Sequence, residues 1–445
     1  MRDLLIVSIV ALGALYALRR PWIGVLLWTW LSLMNPHQAF GWRTATMQLA
    51  MVAAGATFIG LALTRERRNP FDRPAVWALL LFVVWMTIAL PFSEYFEQSQ
   101  PLWWRSMKIF LMVFVTIALI DNRKKLSAFI IVCAISLAYF GVKGGVFTIA
   151  TGGQYRVSGP GGFIEGNNEL AVALIMIVPL IYYFVIREAR RWVKLALIAS
   201  MVLTTICIIG TQSRGALLAV SAMAFFLWLK SRSKVFGGVA ISLTLAGTLS
   251  FMPEHWWSRM ETIQDYTEDN SALGRLNAWT YCYNVASDRF FGGGIQMYSK
   301  TMFERYSPDP DRVHAAHSIY FQALGELGFG GLILFLAIGI FTWLDARRLI
   351  QISGQHPELA WAADLGRMAQ VSLIGFAVGG AFLSLVYFDL PYNFMAIVVC
   401  ALHIAKRQAL ELKRALSNQP LGSSLGCALS EASVQPPGAP RSQPG

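Results

Sequence analysis

The chain has 445 residues, 56% of them hydrophobic and only 14% charged, with a net charge of +12 and a mean hydropathy of +0.51. A soluble protein carries about a quarter charged residues, so a soluble globular enzyme is excluded. A nucleic-acid-binding role for the positive charge is excluded with it, because basic residues in a chain this apolar belong to loops flanking membrane helices.

A bilayer core is spanned by about 20 apolar residues. Runs of that kind occupy 3–18, 21–35, 44–64, 74–91, 106–120, 126–150, 168–186, 192–210, 214–229, 235–252, 317–343, 367–387 and 390–405. The first has no small-residue cleavage site after it and reads as a retained helix. Only Arg19 and Arg20 part it from the second. The last two runs are equally close, so the expectation is an all-α polytopic membrane protein with 12–13 transmembrane helices.

Basic residues alternate between two sets of loops. One set carries Arg19/Arg20, Arg65/Arg67/Arg68/Arg73, Arg123/Lys124/Lys125, Arg187/Arg190/Arg191/Lys194, Lys230/Arg232/Lys234, Arg347/Arg348/Arg367 and Lys406/Arg407/Lys413/Arg414, 23 in short segments. The other carries 13, and its long segment 253–316 offsets six of these with nine acidic residues. By the positive-inside rule the first set faces the cytoplasm. The chain is thus expected in a bacterial inner membrane, with its N-terminus periplasmic, its C-terminus cytoplasmic and 253–316 as one large periplasmic loop.

Cys133, Cys207 and Cys400 lie in apolar runs, Cys282 in an outer loop and Cys427 in the tail, with no disulfide or metal spacing. From Ser417 the chain is rich in Pro, Gly, Ser and Gln and reads as disordered. The expected divisions are 1–190, N-terminal membrane helices; 191–345, a membrane region with the periplasmic loop; 346–405, C-terminal helices; and 406–445, the cytoplasmic tail.

Three outer segments carry polar residues of interest. Gly152–Glu169 is Gly-rich and ends in Glu165-Gly166-Asn167-Asn168-Glu169 as the next helix begins; it reads as a flexible hairpin with an Asn cap or as part of a site. Gly210-Thr211-Gln212-Ser213-Arg214-Gly215 joins two long apolar helices tightly. Thr211 or Ser213 can cap the second helix, and Arg214 beside its N-terminus makes an anion site or an arginine snorkelling to the interface. In 253–316, Asp269-Asn270-Ser271 precedes Leu273, Leu276, Ala278 and Trp279, the spacing of a capped amphipathic helix bearing Arg275. Phe290-Phe291-Gly292-Gly293-Gly294 breaks it.

The loop ends at His314-Ala315-Ala316-His317-Ser318-Ile319-Tyr320, which sets His317 at the outer rim of a membrane helix as a polar cap or a reactive base. The two histidines are three apart with no carboxylate to complete a ligand set, so no metal is expected. Glu326 is the carboxylate deep in an apolar run. It lies nine residues, about 13 Å, below His317 on the opposite helix face, and is expected to pair with a neighbouring helix.

Thr211-Gln212-Ser213-Arg214-Gly215-Ala216, then Gly274-Arg275 with Trp279, then His317-Ser318 with Glu326-Leu327-Gly328, taken in order over roughly 195–345, resemble the O-antigen ligase and polymerase superfamily. Asn35-Pro36-His37-Gln38 before Trp42, with Gly166-Asn167-Asn168-Glu169, is similar to the O-glycosylation ligases associated with exosortase A systems. The resemblance implies an all-helical glycosyltransferase that moves a glycan from an undecaprenyl diphosphate-linked donor to a hydroxyl of a protein or lipid acceptor, with no metal or other cofactor. The loop of about 64 residues is compact for that family.

Physical chemistry agrees with that implication. Arginines stay protonated and grip phosphate bidentately, which suits Arg214 and Arg275 to a diphosphate leaving group. A histidine titrating near neutral pH suits His317 to take the acceptor's proton. Glu326, Asn168 and Tyr320 are supporting candidates. A glycan polymerase of the same superfamily and a lipid-linked glycan flippase remain as alternatives, although a transporter would gather its ionisable groups near the midplane, where Glu326 stands alone.

Overall fold

The computed structural model describes residues 1–64, 67–230, 233–250, 252–254, 256–257, 270–354 and 356–417. Among them every regular element is helical. In chain order these are α1 (Arg2–Arg19), α2 (Pro21–Leu33), the short α3 (Pro36–Ala39), α4 (Leu49–Leu63), α5 (Pro74–Ala89), α6 (Phe96–Leu119), α7 (Arg123–Ala150), α8 (Asn167–Arg187), α9 (Arg191–Gly210), α10 (Arg214–Lys230) and α11 (Lys234–Leu249). Then come α12 (Asn270–Asp288), α13 (Lys300–Tyr306), α14 (Ile319–Gly354), α15 (Ala360–Gly380) and α16 (Asp389–Ser417). Each expected apolar run falls on its own helix, with α12 and α13 inside the long loop. Among the described residues six helices are long and apolar enough to cross a membrane: Pro74–Phe92, α6, α7, α8, α9 and α14. The chain is an all-α polytopic membrane protein.

Several boundaries depart from the apolar runs. The sharp turn at Arg20 keeps α1 and α2 separate, since its φ of −134° is outside the helical range and Pro21 opens the next helix. The run 44–64 becomes α-helical only at Leu49, after a 3-10 turn at Thr44–Thr46, because Thr44 is drawn onto Asp3 Oδ1 through its N–H and its hydroxyl. The run 367–387 is displaced: α15 begins at Ala360 and stops at Gly380. Its charged residues are tolerated because Asp364 takes Arg367 at 2.9 Å and Arg187 at 3.4 Å. Tail residues beyond Ser417, including Cys427, and the expected cap Asp269 lie outside the described residues.

The two loop sets separate into two faces. On one, Arg73 pairs with Asp345, Arg187 with Asp364, and Arg123 lies over the Trp361 ring. On the other, Glu94 pairs with Arg289, Tyr95 meets Ser299 at 2.7 Å, and Val157 N–H donates to Gly210 O. Between them the middle of α8 is almost wholly buried from Leu170 to Ile181, as expected of a helix apolar on all sides.

The long α14 is broken at Gly328, whose φ is 69°. Lipid offers no partner for freed backbone groups, so the break must be filled by protein. Gly325 O accepts from Gly293 N–H at 2.8 Å, Glu326 O from Gly294 N–H at 3.1 Å, and Leu327 O from Trp85 Nε1 at 2.8 Å. The Phe290–Gly294 break of the loop helix is therefore seated against the broken membrane helix. A Cβ on Gly328 would stand 2.3 Å from Phe290 O, so both the positive φ and the close approach require glycine.

Candidate functional site

The turn before α10 is shaped by Gln212, a non-glycine residue at φ 54°. Its side-chain amide donates to Gly153 O at 3.0 Å and holds that strained conformation from across the rim. Ser213 Oγ accepts from Ala216 N–H at 3.1 Å and caps the helix. Thr211 does not: its hydroxyl returns to Ile208 O at 2.6 Å. Arg214 follows as the first residue of α10, half-buried.

On α12, Arg275 and Trp279 are one helical turn apart and share a face. Trp279 Nε1 donates to Ala316 O at 2.8 Å, and its ring stacks on Phe321 with centroids 4.9 Å apart. Asn277 clamps the other side of the loop, donating to Asp309 O at 2.8 Å and Arg312 O at 3.1 Å. These contacts fix α12 beside the segment ending at His317. A Cβ on Gly274 would lie 2.7 Å from His314 Cδ2, which shows how closely the helix start meets that segment.

His317 precedes α14 in a left-handed conformation, φ 42°. Such strain in a non-glycine residue costs on the order of 1–3 kcal/mol and persists where neighbours over-determine it. Here its N–H donates to Ser384 Oγ at 3.1 Å. Burial, then the charges of Arg275 and His314, hold the His317 imidazole below the usual histidine range. Arg275 and His317 are thus electrostatic neighbours.

Residues 381–388, between α15 and α16, tie the arrangement together. Gly215 packs on Phe382, where an added Cβ would come within 3.1 Å of the Phe382 Cβ, and His317 bonds to Ser384. Two residues of chain span at most about 7 Å, so the Arg214 turn and His317 are held by one short segment. Glu326 supports it from below. Buried, it accepts from Tyr387 OH at 2.7 Å and from Gln322 Nε2 and Gln296 N–H, each at 3.4 Å. Gln322 in turn accepts from Val386 N–H at 3.2 Å. Glu326 therefore pairs with a neighbouring element, and Tyr387 links it to the 381–388 segment that holds His317.

The remaining candidates stand further back. Tyr320 OH donates to Ala377 O at 2.8 Å and fastens the top of α14 to α15. Asn168 accepts from Asn167 at 3.5 Å. Neither caps α8, whose N-cap is Gly166; Asn167 instead donates to Thr211 O at 2.8 Å, joining this helix start to the Arg214 turn. Among the described residues no group of three or more His, Cys, Asp and Glu side chains comes together as metal ligands do.

Residues 199–336 match the O-antigen ligase family model. Residues 1–189 match a family of unknown function (DUF5935), and no curated protein matches the chain. The ligase match supports the membrane glycan ligase and polymerase superfamily and a glycosyltransferase-like activity on lipid-linked glycans. It covers Arg214, Arg275, His317, Tyr320 and Glu326, but neither Asn168 nor 381–388. Sequence reasoning absorbed that last segment into an apolar span. Two signals were available: the Gly379-Gly380 pair, a helix-ending sequence, and Asp389-Leu390-Pro391, a helix-starting one.

Proposed function

We propose that the chain is a membrane glycan ligase of the exosortase A-associated O-glycosylation type, acting at the periplasmic face of the inner membrane. Its donor is an undecaprenyl diphosphate-linked glycan and its acceptor a hydroxyl of a protein or lipid. The observation that carries the reading is the meeting of a depressed-pKa histidine with Arg275 on a rim that also holds Arg214, within a region matching the O-antigen ligase family.

The chemistry is one displacement. The acceptor oxygen forms a bond to the anomeric carbon as the bond from that carbon to the phosphate oxygen breaks, and the configuration inverts. The bonding pair leaves with undecaprenyl diphosphate, and the acceptor's proton passes to His317. A neutral imidazole is needed for that, and the positive surroundings favour it. Arg214 and Arg275 take up the charge that develops on the diphosphate, so no metal is required. A site at the rim lets the isoprenoid tail remain among the helices while its headgroup meets a water-borne acceptor.

The test is to incubate purified protein with a lipid-linked glycan and candidate acceptors, with and without EDTA, and to follow mass on each component. Mass gained by a protein or lipid acceptor in EDTA supports the ligase. Growth of the carrier-linked glycan instead indicates a polymerase. Movement across the bilayer without covalent change indicates a flippase, and activity lost in EDTA and restored by Mg²⁺ removes the arginine account of charge.

A further inference from the structure

A second polar cluster on the same face lies wholly within the region that matches a family of unknown function. Arg105, near the outer end of α6, has its guanidinium carbon 3.9 Å from the centroid of the Phe163 ring. Among the described residues it makes no hydrogen bond or ion pair, and it is solvent-accessible. The stack pre-organises the planar guanidinium, whose Nη2 faces Gly162, and Asp389, buried and bonded by the Ser32 hydroxyl, is its electrostatic neighbour. Asn35 and Gln38 converge on the same point from the α2–α3 corner. Asn35 is 7% exposed, sits at φ 50° and donates its amide to Gln38 Oε1.

The floor between them is Gly161-Gly162, at φ 116° and 70°. A Cβ on Gly162 would stand 3.2 Å from Arg105 Nη2 and 3.4 Å from Asn35 Nδ2, and one on Gly161 would stand 2.8 Å from Gln38 Oε1. All three side chains thus border a corner that carries no side chain of its own. The cluster is connected to the rim just described: Phe163 packs on Phe388 at 6.3 Å, and Phe388 ends the segment whose Ser384 holds His317. Ser384 and Phe388 are four positions apart, at most about 14 Å of chain, so one short segment joins the cluster to the His317 rim. Arg105 Nη2 and Asn35 Nδ2 are the donors for an oxyanion there, and Gln38 Oε1 is an acceptor for a hydroxyl beside it.

We propose that Arg105, Asn35 and Gln38 form an oxyanion subsite for the carrier-linked glycan, supplied by the N-terminal region to the ligase-like region. The proposal rests on the ligase reading. The oxyanion has two sources in such a substrate, the carrier diphosphate or the carboxylate of an acidic sugar.

The experiment uses the full chain in phosphatidylcholine nanodiscs and measures binding of three probes: sugar-free undecaprenyl diphosphate, trigalacturonic acid and neutral maltotriose. Arg105→Gln is expected to weaken one anionic probe by at least about tenfold and leave the neutral one unchanged. Arg105→Lys should be intermediate. Gln38→Glu, nearly isosteric, should reproduce the loss by supplying an internal carboxylate. A loss confined to undecaprenyl diphosphate assigns the subsite to the carrier; a loss confined to trigalacturonic acid assigns it to the sugar. Wild-type affinity of Arg105→Gln for both anions overturns the proposal, as does failure of the wild type to bind either. If Arg214→Lys weakens the carrier while Arg105→Gln does not, the subsite fails and the ligase reading stands. If no acceptor is ever glycosylated but anion binding depends on Arg105, the ligase reading fails and the subsite stands.

Discussion

At the residue scale the proposed transfer turns on His317. A general base must be neutral to act, and burial together with Arg275 and His314 disfavours its protonated form. Full activity is then present above the lowered pKa and lost as pH falls through it. The acid limb of kcat/KM is expected below about 6.5, the ordinary histidine value. Arg275→Gln removes a positive neighbour and should move that limb upward. A limb at or above the ordinary value in the unaltered chain would rule His317 out as the base. His317→Ala should insert normally and lose about 10²–10⁴ in transfer, whereas exposed His314 should tolerate Ala far better.

A lysine substitution separates an arginine that grips diphosphate from an interfacial anchor. Lysine snorkels as well as arginine but offers a point charge where a planar fork grips diphosphate. Arg214→Lys and Arg275→Lys are expected to reach normal membrane levels and lose at least about tenfold in transfer, about 1.4 kcal/mol of transition-state stabilisation. Near-normal turnover in both variants would sink the bidentate role.

At the element scale, the amphipathic α12 carries Arg275, and Trp279 is the attachment nearest His317. One hydrogen bond and one stacked pair hold it to Ala316 and Phe321, contacts worth about 1 kcal/mol each. Trp279→Ala should cost on the order of tenfold in transfer by loosening Arg275 from His317, while Trp279→Phe, which keeps the stack, should recover most of it. Equal loss in both variants would mean that the indole hydrogen bond alone fixes the helix. Trp279 stood in the sequence at the right spacing from Arg275, but its partner could not be read, because the backbone carbonyl of Ala316 belongs to a segment 37 residues away.

At the scale of the whole molecule the loops fall on two faces, and the compartment each face meets is a matter of orientation. From the basic-residue alternation, Ser287 is expected outside and Arg190 inside. A reporter active only in the periplasm is expected to be active when fused after Ser287 and silent after Arg190. The reverse pattern would place the His317 rim in the cytoplasm and overturn the periplasmic reading. The thirteen apolar runs were legible at this scale because hydropathy is summed over some 20 residues and a bilayer enforces helices. The ends were less so. The helix α15 lies about seven residues before its apolar run, since the Arg187–Asp364–Arg367 network lets charged residues enter a span.

The sequence by itself determined the all-helical membrane class, the two sets of loops, and the presence of Arg214, Arg275 and His317 at helix starts or in the loops of one set, because composition, charge and local motifs are properties of neighbouring residues. Only the tertiary structure decided which of these stand together. His317 takes its conformation from Ser384, the Arg214 turn rests on Phe382, and the broken α14 is completed by Trp85 and the Gly293-Gly294 backbone. Those partners lie far apart along the chain, and hydrogen bonds and packing between distant segments leave no period or spacing in a sequence for a reader to find.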